Sequence, residues 1–194
     1  DKGVEVLIEA ARLLKGLGRK FRVQFVGEFS SDEYRETVRS YVSEMELEHC
    51  VEFCGRKLGD EKWAHYRGAD IFCFPTHYSS ESFGNVLVEA MMFELPVVST
   101  KWRGIPGIVE EGITGFLTDI RDPQATAERI IRLLDNEALR TSMGREGRER
   151  YLEQFTVETY LERTREVVLE VAKKKPAQPI LESTERRSVA AGAR

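Results

Sequence analysis

Two glutamates that stand eight positions apart, Glu81 and Glu89, have the spacing and surroundings of ligand-binding residues. Between them lies Ser-Phe-Gly-Asn at 82–85, followed by an apolar run with helical spacing. Glycine at a helix start lets a ligand approach the backbone closely, and the first N–H groups of a helix have no intrahelical partner. We therefore expect the amides at this turn to bind phosphate oxygens. These are the amides of Phe83, Gly84, Asn85 and Val86.

The two carboxylates can bind the hydroxyls of such a ligand. Glu81 precedes the predicted helix and can accept hydrogen bonds from a sugar, whereas Glu89 lies more than a turn into it and can accept a pair from the vicinal hydroxyls of a ribose. A structural interpretation stands beside this one. The helix dipole favours glutamate near a helix start, and 32% of the residues are charged, so such pairs also arise by chance.

Composition limits the class of protein. A chain of 194 residues with 41% apolar content suits one ordinary domain plus an appendage. Its net charge of −4 argues against nucleic acid as a partner. The sequence has no apolar stretch near the roughly 20 residues that cross a bilayer, and its start resembles an amphipathic helix rather than a signal peptide. We expect a globular protein in the cytosol.

Three cysteines, Cys50, Cys54 and Cys73, lie within or beside apolar runs. Their odd number and apolar surroundings favour reduced thiols packed as small hydrophobic side chains. A zinc site that adds His77 is the alternative. Because the spacings differ from the usual C-x2-C pattern, we predict no metal site.

Short β-rich runs alternate with helical patterns along the chain. Strands are predicted at 21–26, 51–54, 71–74, 96–100 and 116–118. Helices are predicted at 4–16, 32–45, 61–69, 85–93, 122–134, 137–151 and 157–174. The Ser-Ser-Asp run at 30–32 is a predicted cap of the second helix, and Asp122-Pro123 is the predicted start of the fifth. Strands that are each followed by a helix indicate a parallel sheet covered on both faces, which is a Rossmann-like α/β domain over residues 1–174. Residues 175–194 have few large apolar side chains and are predicted to form a disordered tail.

Several segments, in this order, closely resemble the donor-binding half of retaining glycosyltransferases with the GT-B fold. The resemblance is to the large family-4 group, the group 1 glycosyl transferases, which includes bacterial mannosyl- and glucosyltransferases. It covers roughly residues 1–172. The segments are ESFGNVLVEAM at 81–91, LPVVST at 95–100, IPGIVEEGITGFL at 105–117, DPQATAERIIRLL at 122–134 and MGREGRERYLEQFT at 143–156.

This resemblance implies a role for each candidate residue. Glu81 would be the catalytic residue that holds the transferred hexose, Glu89 would bind the ribose, and Lys2 would contact the diphosphate. Other donor-binding residues follow strand ends, where α/β sheets bind ligands: Gly27 beneath the phosphates, and Arg56, Lys57 and Leu58 beside the base. The alternative for these last residues is structural, with Gly27 and Gly55 serving tight turns and Arg56 and Lys57 as solvated charges.

The implied reaction is transfer of a hexose from a nucleotide diphosphate sugar to a glycan or lipid acceptor, with retention at the anomeric carbon. No Asp-x-Asp motif occurs in the sequence. We therefore expect no cofactor and no metal, with Lys2, an upstream arginine and the helix start at Gly84 neutralising the leaving diphosphate. A non-catalytic sugar-nucleotide-binding module is the alternative function. A sugar-nucleotide epimerase fits less well, because its glycine and histidine patterns differ.

The resemblance also implies an N-terminal acceptor-binding domain in the same protein. It places the first strand of the donor domain before Lys2, so we expect a chain truncated at its N-terminus and inactive alone, with unpaired backbone groups on two neighbouring strands. The helix at 157–174 would contact the acceptor domain, and peripheral association with the inner face of the membrane through that domain is left open. Two residues depart from the family pattern. Glu94 stands where glycine is common, at an expected cost on the order of 1 kcal/mol, and Arg103 stands where a small residue is usual.

Overall fold

The computed structural model describes residues 2–174 and confirms the predicted alternation of strands and helices. The strands are β1 (Val23–Val26), β2 (Val51–Gly55), β3 (Phe72–Phe74), β4 (Val97–Thr100) and β5 (Gly115–Thr118). The helices are α1 (Val4–Gly16), α2 (Asp32–Glu44), α3 (Gly59–Arg67), α4 (Asn85–Met92), α5 (Ile105–Ile108), α6 (Pro123–Leu134), α7 (Glu137–Gln154) and α8 (Val157–Lys174). The short helix α5 is the element that the sequence analysis missed. The predicted tail at 175–194 lies outside the described residues, so its disorder stays a prediction.

Side-chain caps explain where several helices begin. Ser31 Oγ accepts a hydrogen bond from the Tyr34 amide at 3.1 Å and starts α2. Asp122 Oδ1 accepts from the Ala125 amide at 2.8 Å ahead of Pro123, and so starts α6. Such oxygens satisfy N–H groups that have no partner within the helix. The polar residues that predicted these starts in the sequence therefore act as caps in the structure.

The strands of residues 2–174 form two parallel ladders. One ladder pairs β1 with β2, and the other has the order β3-β4-β5. Strand β4 is buried along its whole length, as expected for the centre of a parallel sheet covered by helices. Within the described part of the chain, β4 has a ladder partner on both sides, and each of the other four strands has a partner on one side. The expected strand before Lys2 stays a prediction.

Three hydrophobic clusters hold the layers together. One joins α4 and α5 to β4 and β5, a second joins α1, α6 and α7 to the same two strands, and a third lies among α1, α2 and β2. Phe25 of β1 and Cys73 of β3 both pack against the second cluster. The helices thus bury both ladders and leave the carboxyl ends of the strands to the connecting loops.

The chain divides into two compact units after Thr156, and α8 belongs to the second. Taken by itself, α8 exposes a row of apolar side chains that includes Tyr160, Leu161, Val168 and Val171. The predicted contact of this helix with an acceptor domain stays a prediction. Among residues 2–174, no helix is both long enough and apolar enough to cross a membrane.

Candidate functional site

Helix α4 begins directly after Gly84, within the turn that the sequence analysis singled out. Gly84 is the N-cap of α4 with φ 86° and ψ 56°, a left-handed conformation that favours glycine. A Cβ there would also lie 3.1 Å from Leu87 Cδ1. Because glycine has no side chain to cap the helix, the amides of Asn85 and Val86 remain available for an external acceptor.

The loop between β4 and α5 fixes this turn from the other side. A Cβ at Gly104 would overlap the carbonyl oxygen of Ser82, so the two backbones approach closely at this point. Trp102 Nε1 donates a hydrogen bond to the Tyr78 carbonyl at 2.9 Å. Both contacts anchor residues 78–82, the segment that carries Glu81, to the end of β4.

Lys2 and Glu81, assigned separately to the diphosphate and the hexose, are in direct contact. Lys2 Nζ lies 2.7 Å from Glu81 Oε2, and the Glu81 side chain is only 12% exposed. The same ammonium lies 4.4 Å from the centroid of the Tyr78 ring. Gly3 makes this approach possible, because a Cβ at its φ of 87° would overlap the Pro75 carbonyl. The Lys-Gly pair therefore places the start of α1 against the end of β3.

Glu89 contacts two side chains of α3. Lys62 Nζ lies 2.6 Å from Glu89 Oε1, and the Tyr66 hydroxyl donates to Glu89 Oε2 at 2.8 Å. Burial, followed by the contact with Glu89, raises the pKa of Tyr66, so its hydroxyl is a hydrogen-bond donor at neutral pH. Sequence reasoning missed both partners of this carboxylate. Lys62 and Tyr66 are four positions apart, so they share one face of α3. That spacing is the sequence signal that could have identified them as two side chains facing the same neighbour.

The remaining candidates lie at the carboxyl ends of β1 and β2. Gly27 follows β1, and its amide donates to the Gly55 carbonyl at 3.0 Å, which brings the two strand ends together. Arg56 is exposed, Lys57 Nζ lies 3.7 Å from Glu61, and Leu58 is 64% exposed just before α3. Gly27 stays a predicted contact of the phosphates, and residues 56–58 stay predicted contacts of the base. The structural alternative, a tight turn followed by a solvated loop, fits the same contacts.

The cysteines and His77 give no sign of a metal centre. The three cysteines are free thiols, and burial raises the pKa of Cys73 to about 12. Burial, followed by nearby positive charge that includes Arg121, lowers the pKa of His77. Throughout residues 2–174, no group of three His, Cys, Asp or Glu side chains lies close enough to hold a metal ion.

Glu94 and Arg103, the two residues that depart from the family pattern, both have a left-handed backbone conformation. Glu94 has φ 58°, and a Cβ at Gly144 of α7 would overlap its carbonyl oxygen. Glu94 therefore has the left-handed conformation for which the sequence analysis expects a cost on the order of 1 kcal/mol. Arg103 has φ 49°, and its guanidinium lies 5.4 Å from the centroid of the Trp102 ring. Arg103 lies in the loop between β4 and α5, which anchors the segment at 78–82.

The chain is similar to known proteins in sequence and in structure. The family model of glycosyl transferases group 1 matches residues 1–150. The Staphylococcus aureus capsular polysaccharide biosynthesis glycosyltransferase CapM is 30% identical over 80% of this chain and 40% of its own length. The D-inositol 3-phosphate glycosyltransferase of Corynebacterium efficiens is 37% identical over 76% of this chain and 35% of its own. The crystal structure of Anabaena Alr3699/HepE in complex with UDP and glucose is 25% identical, with a TM-score of 0.78 over 87% of this chain and 45% of that one. The chain thus spans less than half the length of these relatives.

Proposed function

Because this chain belongs to the glycosyl transferases group 1 family and has the Rossmann-like fold of one half of a GT-B protein, we propose that it is the donor-binding half of a retaining hexosyltransferase. The enzyme would move a hexose from a nucleotide diphosphate sugar to a glycan or lipid acceptor. The observation that carries the proposal is the arrangement around α4. Glu81 with its cation Lys2 precedes the glycine helix start, and Glu89 lies beyond it on the same helix.

Each part of the donor has a group of matching chemistry. The amides at Gly84, Asn85 and Val86 and the ammonium of Lys2 would hold the diphosphate, because both carry positive charge towards the strand ends. Glu81, mostly buried beside Lys2, would accept hydrogen bonds from the hexose. Glu89 would accept the ribose hydroxyls, and residues 56–58 would lie beside the base.

The chemical task of this half would be to stabilise the leaving diphosphate. As the bond between the hexose and the diphosphate breaks, negative charge collects on the phosphate oxygens, where Lys2 and the first amides of α4 lie. Fixed donors aimed at a developing charge lower the barrier without needing a base. We propose that the reaction needs no metal, since these groups supply the positive charge.

The acceptor would be bound by another part of the protein. The relatives named above are more than twice as long as the segment that they share with this chain, which supports a further, acceptor-binding domain. The free thiols of Cys50, Cys54 and Cys73 support a reducing compartment such as the cytosol.

The test is sugar transfer by the full-length protein supplied with UDP- and GDP-hexoses and a crude acceptor fraction. We expect release of the nucleoside diphosphate, a product with the anomeric configuration of the donor by NMR, and activity that persists in EDTA. Glu81→Ala should abolish transfer while nucleotide binding, measured by calorimetry, is retained. Binding of the nucleotide without transfer by the wild-type protein would instead favour the non-catalytic module, and an inverted product would contradict retention.

A further inference from the structure

Two side chains of α3 hold both oxygens of the Glu89 carboxylate. The Tyr66 hydroxyl donates to Oε2 at 2.8 Å, and Lys62 donates to Oε1 at 2.6 Å. The carboxylate is thus bound on one side by an element 23 to 27 positions earlier in the chain. Its orientation relative to α4 is fixed from outside α4.

This arrangement leaves acceptor capacity on both oxygens. An ionised carboxylate offers about four lone-pair positions, two on each oxygen. Since Tyr66 and Lys62 bind different oxygens, about one position on each oxygen remains. Two vicinal hydroxyls require a pair of neighbouring acceptors of this kind. A carboxylate that was free to rotate would present that pair only part of the time.

Tyr66 is the more rigid of the two donors. It is buried, whereas the Lys62 side chain is 27% exposed. Its ring stacks on Phe72 at 5.6 Å and on Phe93 at 5.5 Å between centroids, which fixes the position of the hydroxyl. The hydroxyl therefore directs the Glu89 carboxylate rather than following it.

We propose that Tyr66 is a positioning residue that orients the Glu89 carboxylate for two ribose hydroxyls and so sets the preference for ribonucleotides over deoxyribonucleotides. The inference rests on the proposed function, because it takes Glu89 as the ribose-binding residue. A site that hydrogen-bonds a hydroxyl rejects the analogue without it, because its acceptor is left unpaired. Loosening the carboxylate should therefore weaken this rejection.

Calorimetric titration of the full-length protein with UDP, GDP and their 2′-deoxy counterparts tests the proposal. Wild type should bind the preferred ribonucleotide about tenfold or more tighter than its deoxy form. In Tyr66→Phe, ribonucleotide affinity should fall about tenfold and deoxyribonucleotide affinity little, so their ratio approaches one. For the sugar donor, KM should rise while kcat stays close to wild type, since the ribose does not react.

A matched control separates this effect from general loss of a tyrosine hydroxyl. Tyr41 of α2 also donates to a glutamate, to Oε2 of Glu9 of α1 at 3.2 Å, and this hydrogen bond is partly buried. Tyr41→Phe should leave the ratio unchanged. Lys62→Met removes the other donor and should lower the ratio as well, which provides a second measurement should Tyr66→Phe fold poorly.

The outcomes distinguish the inference from the function on which it rests. If wild type prefers ribonucleotides and a folded Tyr66→Phe variant keeps the wild-type ratio, the positioning role of Tyr66 is wrong and the proposed function stands. If wild type binds none of the nucleotides, both proposals fall. If wild type binds ribo- and deoxyribonucleotides equally, Glu89 does not read the ribose, and the role of Tyr66 falls with that assignment alone.

Discussion

Lys2 and Glu81 are 79 positions apart in the sequence, yet Lys2 Nζ lies 2.7 Å from Glu81 Oε2. The contact depends on Gly3, which lets α1 begin against the Pro75 carbonyl at the end of β3. In the proposed complex, a diphosphate would share the Lys2 ammonium with Glu81. Glu81 already holds the Lys2 ammonium in position. Donor binding would therefore add the diphosphate as a second anion beside the same ammonium.

Replacing Lys2 tests this arrangement. Lys2→Met should lower the affinity of the full-length protein for UDP or GDP about tenfold or more, because a charge-assisted hydrogen bond contributes about 1.5–3 kcal/mol. The affinity for the nucleoside without phosphates should stay the same. Calorimetry with the diphosphate and the nucleoside measures both effects. Lys20 is exposed beyond the far end of α1, so Lys20→Met is the matched control; equal losses in the two variants would contradict a direct role for Lys2.

The close approach of Gly104 to Ser82 predicts a defect in the turn itself. Gly104→Ala should reduce the free energy of unfolding by about 1–3 kcal/mol, because its Cβ would overlap the Ser82 carbonyl. It should also weaken nucleotide binding, since residues 78–84 must shift. Urea unfolding and calorimetry measure the two effects.

Gly107 offers the comparison for that change. It lies within α5, the short helix whose N-cap is Gly104, and a Cβ there would meet no atom within 4 Å. Gly107→Ala should leave binding unchanged and stability unchanged or higher by up to about 1 kcal/mol. If Gly104→Ala behaves like Gly107→Ala, the contact with Ser82 does not hold the turn.

Local signals in the sequence were sufficient for most of the fold. Apolar spacing gave the strands and the longer helices, and Ser31 and Asp122 marked helix starts because their side chains cap the next residues of the chain. Helix α5 was missed because four residues are too few to show a helical period. The order of strands within each ladder depends on contacts between distant segments, which no local pattern encodes.

The residues of the candidate site also fall into two groups, those that a local sequence pattern indicates and those that depend on contacts between distant segments. Gly84, Glu81 and Glu89 share one segment, so their neighbours in the sequence revealed them. Lys62 and Tyr66 reach Glu89 from another helix, and their contacts with it follow from tertiary packing. Likewise, the contact between Lys2 and Glu81 arises only when α1 meets the end of β3.

His77 predicts a dependence of stability on pH. Burial, then nearby positive charge that includes Arg121, lowers its pKa in the folded state, while the Glu5 carboxylate acts in the opposite direction. Between about pH 7.5 and 5.5 the unfolded chain, with an ordinary histidine pKa of about 6.5, binds a proton sooner than the folded chain does. This contribution to stability is therefore present above that pKa and lost as the pH falls.

His77→Gln should accordingly lose less stability than wild type over this range. Urea midpoints at pH 5.5, 6.5 and 7.5 measure the difference, and the range lies above the ordinary pKa of the carboxylates. A variant with the same pH dependence as wild type would show that His77 does not contribute.

Glu94 predicts a substitution that stabilises the protein. Its φ of 58° lies in the left-handed region, and α7 packs so closely at Gly144 that the Glu94 backbone has no room to relax. Glutamate in this conformation costs roughly 1 kcal/mol relative to glycine. Glu94 is exposed, so its side chain contributes little packing. Glu94→Gly should therefore unfold at a higher urea concentration, with a gain in the free energy of unfolding of roughly 1 kcal/mol. Glu146 is exposed within α7, where Glu146→Gly should instead cost about 1 kcal/mol; a loss of stability in both variants would show that Glu94 is not strained.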